Sequence, residues 1–514
     1  MVEKYINVSE QNHNLYAYIQ DIARSRLDKP LLVTDAGVSY TYVDIDRESA
    51  RLANFLADSG AMPGDRISVQ VEKSPAALCL YLACLRGGFV FHPLNTGYTI
   101  AELEYFFGNA EPVVVVCDSA SEEVMAPLLS KLNIPHLFTL DEDGSGSLQE
   151  LSATSSDSAV LVEKNANDMA CLLYSSGTTG VPKGIVLTHG NLYENAATLV
   201  KAWGFTEEDV LLHALPIFHV HGLFVALGCV LLSGASMRWL AGFNAEKVIK
   251  LMPECSSMMG VPTYYTRLLA SEGFTRDVAA HMRLFVSGSA PLLEETFYEF
   301  EERTGHRILE RYGMTETNMN TSNPLAGERK AGTVGPPLPG VEVRICDDKG
   351  DELPTGEIGN LQVRGKNVFR EYWRMPEKTS EDKGEDGFFN TGDKGVIDED
   401  GYVSIVGRSK DMIISGGLNV YPVEVEGVIN ELEGVKESAV IGVPHSDFGE
   451  AVVAVVVMAG GKSIAEDLVI SELKQKLAGF KVPKRIVFVN ELPRNTMGKV
   501  QKNLLRDSYQ ALLQ

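Results

Sequence analysis

Residues Leu172 to Leu187 read LLYSSGTTGVPKGIVL. An apolar run, Met169 to Tyr174, enters six small or hydroxylated residues, Ser175, Ser176, Gly177, Thr178, Thr179 and Gly180. A second run, Ile185 to Leu187, leaves after Pro182, Lys183 and Gly184. Short apolar runs bounded by Gly and Pro favour strands, so the stretch predicts strand, loop, strand. An ordinary hairpin turn has about two to five residues, and the ten residues Ser175 to Gly184 exceed it. Glycines let a backbone approach a ligand closely, amide N–H groups and four hydroxyls donate, and Lys183 adds a positive charge. That composition suits polyphosphate. A Walker loop, G-x-x-x-x-G-K-S/T, is excluded: counting from Gly177 puts Pro182 at the second glycine and Gly184 after the lysine.

The chain has 514 residues, too many for one core, which implies two or more domains. Hydrophobic content of 45% and charged content of 22% predict packed cores and not disorder. A net charge of −23 argues against nucleic acid or an anionic membrane as partner, so any phosphate-handling Lys and Arg must be concentrated locally. Seven scattered cysteines without a C-x-x-C pair read as small core residues of a reducing, cytoplasmic protein, not as disulfides or a zinc site. The first residues, MVEKYINVSEQNHNLYAYIQ, contain acidic groups and no apolar core of a signal peptide. The run Gly222 to Met237 spans sixteen residues, whereas a membrane-crossing helix needs ~20. It is expected to be a buried helix.

From Asn14 to about Asp168 helical and strand-like segments alternate: Leu52 to Leu56, Pro75 to Arg86 and Ile100 to Asn109 helical, Arg66 to Val71, Phe89 to Pro93 and Pro112 to Cys117 extended. This spacing predicts a parallel α/β sheet. Beyond the loop, Thr188 to Trp203 predicts a capped amphipathic helix. HALPIFHVHGLF (His213 to Phe224) follows, with His219 and His221 at the head of an apolar segment. Without a third ligand at helix spacing, two such histidines usually serve as core or pocket-lining groups. MMGVPTYYTRLL predicts a strand, Met258 to Val261, and a helix opening at Pro262, on which Tyr264 and Arg267 share a face. An arginine there ordinarily just meets water.

Five further motifs follow in order. HMRLFVSGSAPL (His281 to Leu292) reads as a strand, then Ser287, Gly288, Ser289, Ala290 and Pro291 opening a helix. LERYGMTETNMNTS (Leu309 to Ser322) places Glu310, Arg311, Tyr312, Gly313, Met314, Thr315 and Glu316 after a strand, with Met319 just beyond. FFNTGDKGVI supplies Asp393, and IVGRSKDMIISGGLNVYPVEVE clusters Arg408, Lys410 and Asp411 ahead of Gly416 and Gly417. In LPRNTMGKVQKNLLR, Lys499 lies between Gly498 and an amphipathic helix.

In this order the motifs resemble the AMP-forming acyl-CoA synthetase, adenylation-domain and luciferase superfamily over essentially the whole chain. HALPIFHVHGLFVA, MGVPTYYTRLL, ERYGMTETNMNTSNP, GVPHSDFGE and LPRNTMGKVQKNLLR are similar to its malonyl-CoA synthetase branch. The resemblance implies an α/β fold: a large N-terminal domain of parallel and mixed sheets flanked by helices, residues 1–407, and a small mobile α/β domain, 408–514. It implies ATP, Mg2+ and coenzyme A, and ligation of a small dicarboxylic acid, malonate or methylmalonate, through an acyl-adenylate. Other short-chain or aryl acids are the alternative substrates. A luciferase-type oxidative enzyme and a non-catalytic nucleotide-binding protein are the remaining readings.

By the same resemblance Ser175, Ser176, Gly177, Thr178, Thr179, Gly180 and Lys183 close on the ATP phosphates. Gly288 to Pro291 and Glu310 to Thr315 border the nucleotide, with Tyr312 stacked on adenine. Glu316 binds Mg2+, a hard ion that takes one or two carboxylates beside phosphate oxygens. Asp393 and Arg408 meet the ribose. Lys499 is the adenylation lysine, joined in catalysis by Thr178, Lys183 and Glu316. His219, His221, Tyr264, Arg267, Ser287 and Met319 line the acyl pocket, with Arg283 a second candidate partner for a distal carboxylate. Lys410 is the hinge, and Gly416 and Gly417 border the thiol channel. No carrier protein, nucleic acid or membrane is expected as partner.

Overall fold

The decisive stretch forms an antiparallel hairpin: Met169–Ser175 pairs with Lys183–Thr188, and Ser175 lies opposite Lys183. The computed structural model describes residues 12–175, 182–415, 418–445, 448–460, 462–495 and 498–513. Ser176, Gly177, Thr178, Thr179, Gly180, Gly416 and Gly417 therefore lie outside the described residues. Leu172, Ile185, Val186 and Leu187 are fully buried, which explains two continuous apolar runs where a half-exposed hairpin would alternate.

The hairpin belongs to a seven-stranded sheet ordered Glu371–Tyr372, Lys183–Thr188, Met169–Ser175, Val90–Pro93, Arg66–Gln70, Val114–Cys117, His136–Thr139. Its last five strands are parallel and alternate with helices Pro75–Gly87, Ile100–Ala110 and Glu122–Leu132, as the sequence predicts. The helical reading of Leu52 to Leu56 falls inside Tyr42–Asp58. His189–Ala202 is the capped helix: Thr188 Oγ accepts from Asn191 N, and the Asn191 side chain accepts from Thr188 N.

An eight-stranded sheet carries the second half of the large lobe. Six of its strands run parallel: Pro30–Thr34, Ser236–Trp239, Val210–His213, Ser257–Gly260, Leu284–Ser287 and Leu309–Met314. Their carboxyl ends therefore open on one side, where open α/β sheets bind ligands. The strand Asn318–Ser322 closes one edge antiparallel. A four-stranded antiparallel sheet, Val341–Cys346, Gly359–Gly365, Phe389–Ile397 and Val403–Arg408, follows. After the turn Ser409–Asp411 the chain builds a five-stranded sheet around Gly449–Met458, with its own buried clusters of Ile413, Val425, Val440, Val452 and Leu473 and of Ile441, Val453, Leu492 and Leu505.

Three expectations are corrected. Gly222 to Met237 is not one helix: His221–Ala226 is a π-helical turn, Leu227–Ser233 is α-helical, and Gly234 at φ 75° ends it before the strand Ser236–Trp239. The helix after Pro291 begins only at Glu294. Residues Leu309–Met314 are themselves a strand and do not follow one. All seven cysteines are free and buried. Among the described residues no helix is long and apolar enough to cross a membrane.

Candidate active site

At the hairpin base, buried Lys183 meets three groups: the Tyr372 hydroxyl at 3.2 Å, the Tyr372 ring face at 4.3 Å, and Asp382 at 3.6 Å. Glu316 follows the strand Leu309–Met314 and is buried, with Oε1 3.4 Å from Ser175 Oγ and 3.5 Å from the Tyr372 hydroxyl. Burial raises its carboxyl above the usual range, with Lys183 and Arg408 partly opposing. Two long hydroxyl contacts leave most of its acceptor capacity unused. Among the described residues no group of three or more His, Cys, Asp or Glu side chains forms a self-contained metal cage. The donor set fits Mg2+ held by one carboxylate and completed by phosphate oxygens.

A second cluster is built around Tyr312, whose hydroxyl donates to Asp393 Oδ2. Arg408 Nε bridges Asp393 Oδ1 at 2.8 Å across the register of two paired strands. Gly313 beside them must be glycine: a Cβ there would fall 1.9 Å from Asn318 O, while Met319 packs against the same face. Met314 and Thr315 are half-buried at the tip of that hairpin. Ser289 adopts φ 72°, left-handed for a non-glycine residue, and its Oγ lies 3.3 Å from His221 Nδ1. Such strain marks a segment shaped by its surroundings; it also explains why no helix starts at Pro291.

Glu310 accepts from Leu292 N at 3.0 Å beneath this loop. Burial pushes its carboxyl up to about 8. Arg311 is the next residue of the same strand and is also buried. Its guanidinium lies against Gly288, where a Cβ would fall 2.5 Å from Cζ, and its buried Nε and Nη2 have no hydrogen-bond partner among the described residues. Burial holds it to about 10, still protonated at neutral pH. Beside it stand His219 and His221, both pushed well below ordinary histidine by burial, with the Arg311 charge the next cause. Both rings are neutral at pH 7, so they add no competing charge.

Tyr264 stacks on Phe243 at 4.0 Å and reaches Ala214 O at 3.3 Å. Arg267 on the same helix, Pro262–Leu269, is exposed and engages no hydrogen bond or ion pair among the described residues. Ser287 Oγ is buried and unpartnered. Arg283 is not available to a substrate: it grips Asp209 with Nε at 2.6 Å and Nη2 at 2.8 Å, and Nη1 donates to Trp203 O at 2.9 Å.

Lys499 sits on a tight turn where Asn495 N donates to Lys499 O and Lys499 N to Asn495 Oδ1, both at 2.9 Å. Gly498 takes φ 74° beside Thr263 of the large lobe, whose Oγ1 would be 3.4 Å from a Cβ placed there. The lysine keeps solvent access along the cleft, but the surrounding walls lower its ammonium below ordinary lysine, and Arg408 adds repulsion. Lys499 is also one of the charges that depress His219. The turn thus lies near Arg408, Asp393 and His219. Lys410 is exposed in the turn Ser409–Asp411. Sequence reasoning missed Tyr372 and Asp382; neither sits in a motif that flags phosphate chemistry.

A buried lysine beside a carboxylate suited to Mg2+, a Tyr312–Asp393–Arg408 cluster and a buried arginine beside two neutral histidines suit an ATP-using, acid-activating enzyme. The AMP-binding enzyme family profile matches residues 19–373, and that of the AMP-binding enzyme C-terminal domain matches 424–499. The chain belongs to the AMP-binding enzyme family. It is similar to the malonate–CoA ligase of Arabidopsis thaliana, 35% identical over 92% of this chain and 85% of that protein. A feruloyl-CoA synthase of an Amycolatopsis species is 34% identical over 92% and 95%. The ATP-bound structure of MatB from Rhodopseudomonas palustris is 51% identical over 98% of this chain and 100% of that one, with a TM-score of 0.95. Apo MatB from the same organism scores 0.84.

Proposed function

We propose that this protein joins malonate, or a close dicarboxylic relative, to coenzyme A through an acyl-adenylate, releasing AMP and pyrophosphate. A carboxylate is a poor electrophile and must first gain a leaving group. Its oxygen attacks the α-phosphorus of ATP in line, pyrophosphate departs, and the thiol of coenzyme A then displaces AMP. Lys183, Ser175 and the loop that follows hold the β- and γ-phosphates, while Lys499 offsets charge developing at the α-phosphate; such preorganised donors are each worth roughly 10² to 10³ in rate. Glu316 would hold Mg2+, which adds fixed positive charge to the phosphates. Tyr312 carries the adenine ring, and Asp393 with Arg408 takes the ribose diol. We place the domain boundary at Gly407 to Lys410, with Lys410 the hinge that withdraws Lys499 before thiol attack.

The observation that carries the dicarboxylate reading is Arg311. A buried guanidinium without an anion is costly, and this one adjoins the neutral histidines of the acyl end. A distal carboxylate supplies the missing partner, with Arg267 at the outer rim as a second cation. Assayed by AMP production, malonate and methylmalonate should be turned over and butyrate and ferulate should not. Equal turnover of butyrate and malonate would refute the reading in favour of a general acyl- or aryl-CoA ligase.

A further inference from the structure

Lys183 and Glu316 carry opposite charges in one buried corner, yet they form no ion pair with each other; the carboxylate nearest Lys183 is Asp382. Tyr372 stands between them. It lies in the short strand Glu371–Tyr372, whose register sets Tyr372 opposite Ile185, two residues along from Lys183. Its ring is 2% exposed and packs on Phe369 at 4.7 Å. The hydroxyl accepts from Lys183 Nζ at 3.2 Å and faces Glu316 Oε1 at 3.5 Å, and the ring face takes the ammonium at 4.3 Å. One neutral side chain thus satisfies the lysine and offers the carboxylate a donor.

In a low-dielectric corner two unit charges attract strongly, and a direct pair would occupy both groups. A carboxylate bound to Lys183 is closed to a cation, and the lysine bound to it is closed to a phosphate. We propose that Tyr372 is a positioning residue that keeps Lys183 and Glu316 from collapsing into an ion pair, and so keeps Glu316 open to the magnesium of MgATP. This rests on the reading that Glu316 serves Mg2+.

The test is calorimetric binding of ATP to the full chain, once with Mg2+ and once with EDTA; the ratio of the two Kd values measures the contribution of the metal. Tyr372→Phe keeps the ring and its packing and loses the hydroxyl. The ratio should fall by about threefold to tenfold, one hydrogen bond's worth, the loss in Mg2+ exceeding the smaller loss in EDTA that follows from occupying Lys183. Adding Lys183→Met removes the cation that collapses onto Glu316, so the ratio should recover although overall affinity drops. A purely structural role would give no such rescue. Equal losses with and without Mg2+, an unchanged ratio in Tyr372→Phe, or no recovery in the double variant would each overturn the proposal. A wild-type ratio near one would remove the magnesium role of Glu316 itself, and the inference with it.

Discussion

Arg311→Met makes two changes of opposite sign. Arg311 is 3% exposed, and neither its Nε nor its Nη2 has a hydrogen-bond partner among the described residues. Replacing an uncompensated buried charge by an apolar side chain of similar length should stabilise the free protein by about 1–4 kcal/mol. In the complex with a dicarboxylate the same change removes the cation facing a buried carboxylate, a loss of about 2–5 kcal/mol. That corresponds to a roughly 30- to 5,000-fold fall in kcat/KM for malonate. Butyrate, which has no distal charge, should lose nothing and gain from the apolar surface. The assay is AMP release at saturating ATP and coenzyme A for both acids, with thermal unfolding of the free and malonate-bound protein alongside. Wild type should be stabilised by malonate and the variant should not, although its own Tm is higher. Malonate kinetics within about threefold of wild type, or a lower Tm in the free variant, would refute the reasoning, the second because it would mean the guanidinium has structural partners.

Other outcomes follow from the same geometry. Arg267→Met should cost less than Arg311→Met, because an exposed cation contributes about 1 kcal/mol or less; in a double-mutant cycle the two should couple for malonate and not for butyrate. Arg283→Met should leave the malonate KM unchanged and destabilise the fold by about 3–5 kcal/mol, since Asp209 would be left buried and unpaired; denaturant titration reads this. Lys499→Ala should abolish pyrophosphate release from acid and ATP yet spare thioester formation from supplied acyl-adenylate, and equal loss in both assays would take Lys499 out of its role. For Glu310 the folded carboxyl is raised to about 8, so above its unfolded value the folded state holds the extra proton and stability falls as pH rises toward 8. Glu310→Gln keeps the acceptor for Leu292 N–H and should flatten that fall in Tm between pH 5 and 8.

The fold was legible where one rule dominated. Two apolar runs around a glycine-rich loop could only be paired strands, and Thr188 with Asn191 marked a helix start through its capping box. The misses share a cause: a tertiary neighbour overruled a local signal. Pro291 looks like a helix opener, but Ser289 is turned left-handed toward His221 and delays the helix to Glu294. Glu310 and Arg311 read as residues that follow a strand; both are buried within one, each for a reason that lies in another element. Arg283 carried no sequence mark of its commitment to Asp209, 74 positions away. Tyr372 was invisible for the same reason, since its meaning comes from strand register with the hairpin.

The seam between the lobes carries its own consequence. Lys499 faces Arg408 and Lys410, with the carboxylates of Asp393 and Asp411 among them. On the proposed function, a polyanion seated among these three cations would act as an adhesive joint between the lobes. Departure of pyrophosphate would then leave less glue, so lobe opening should be sensitive to ionic strength.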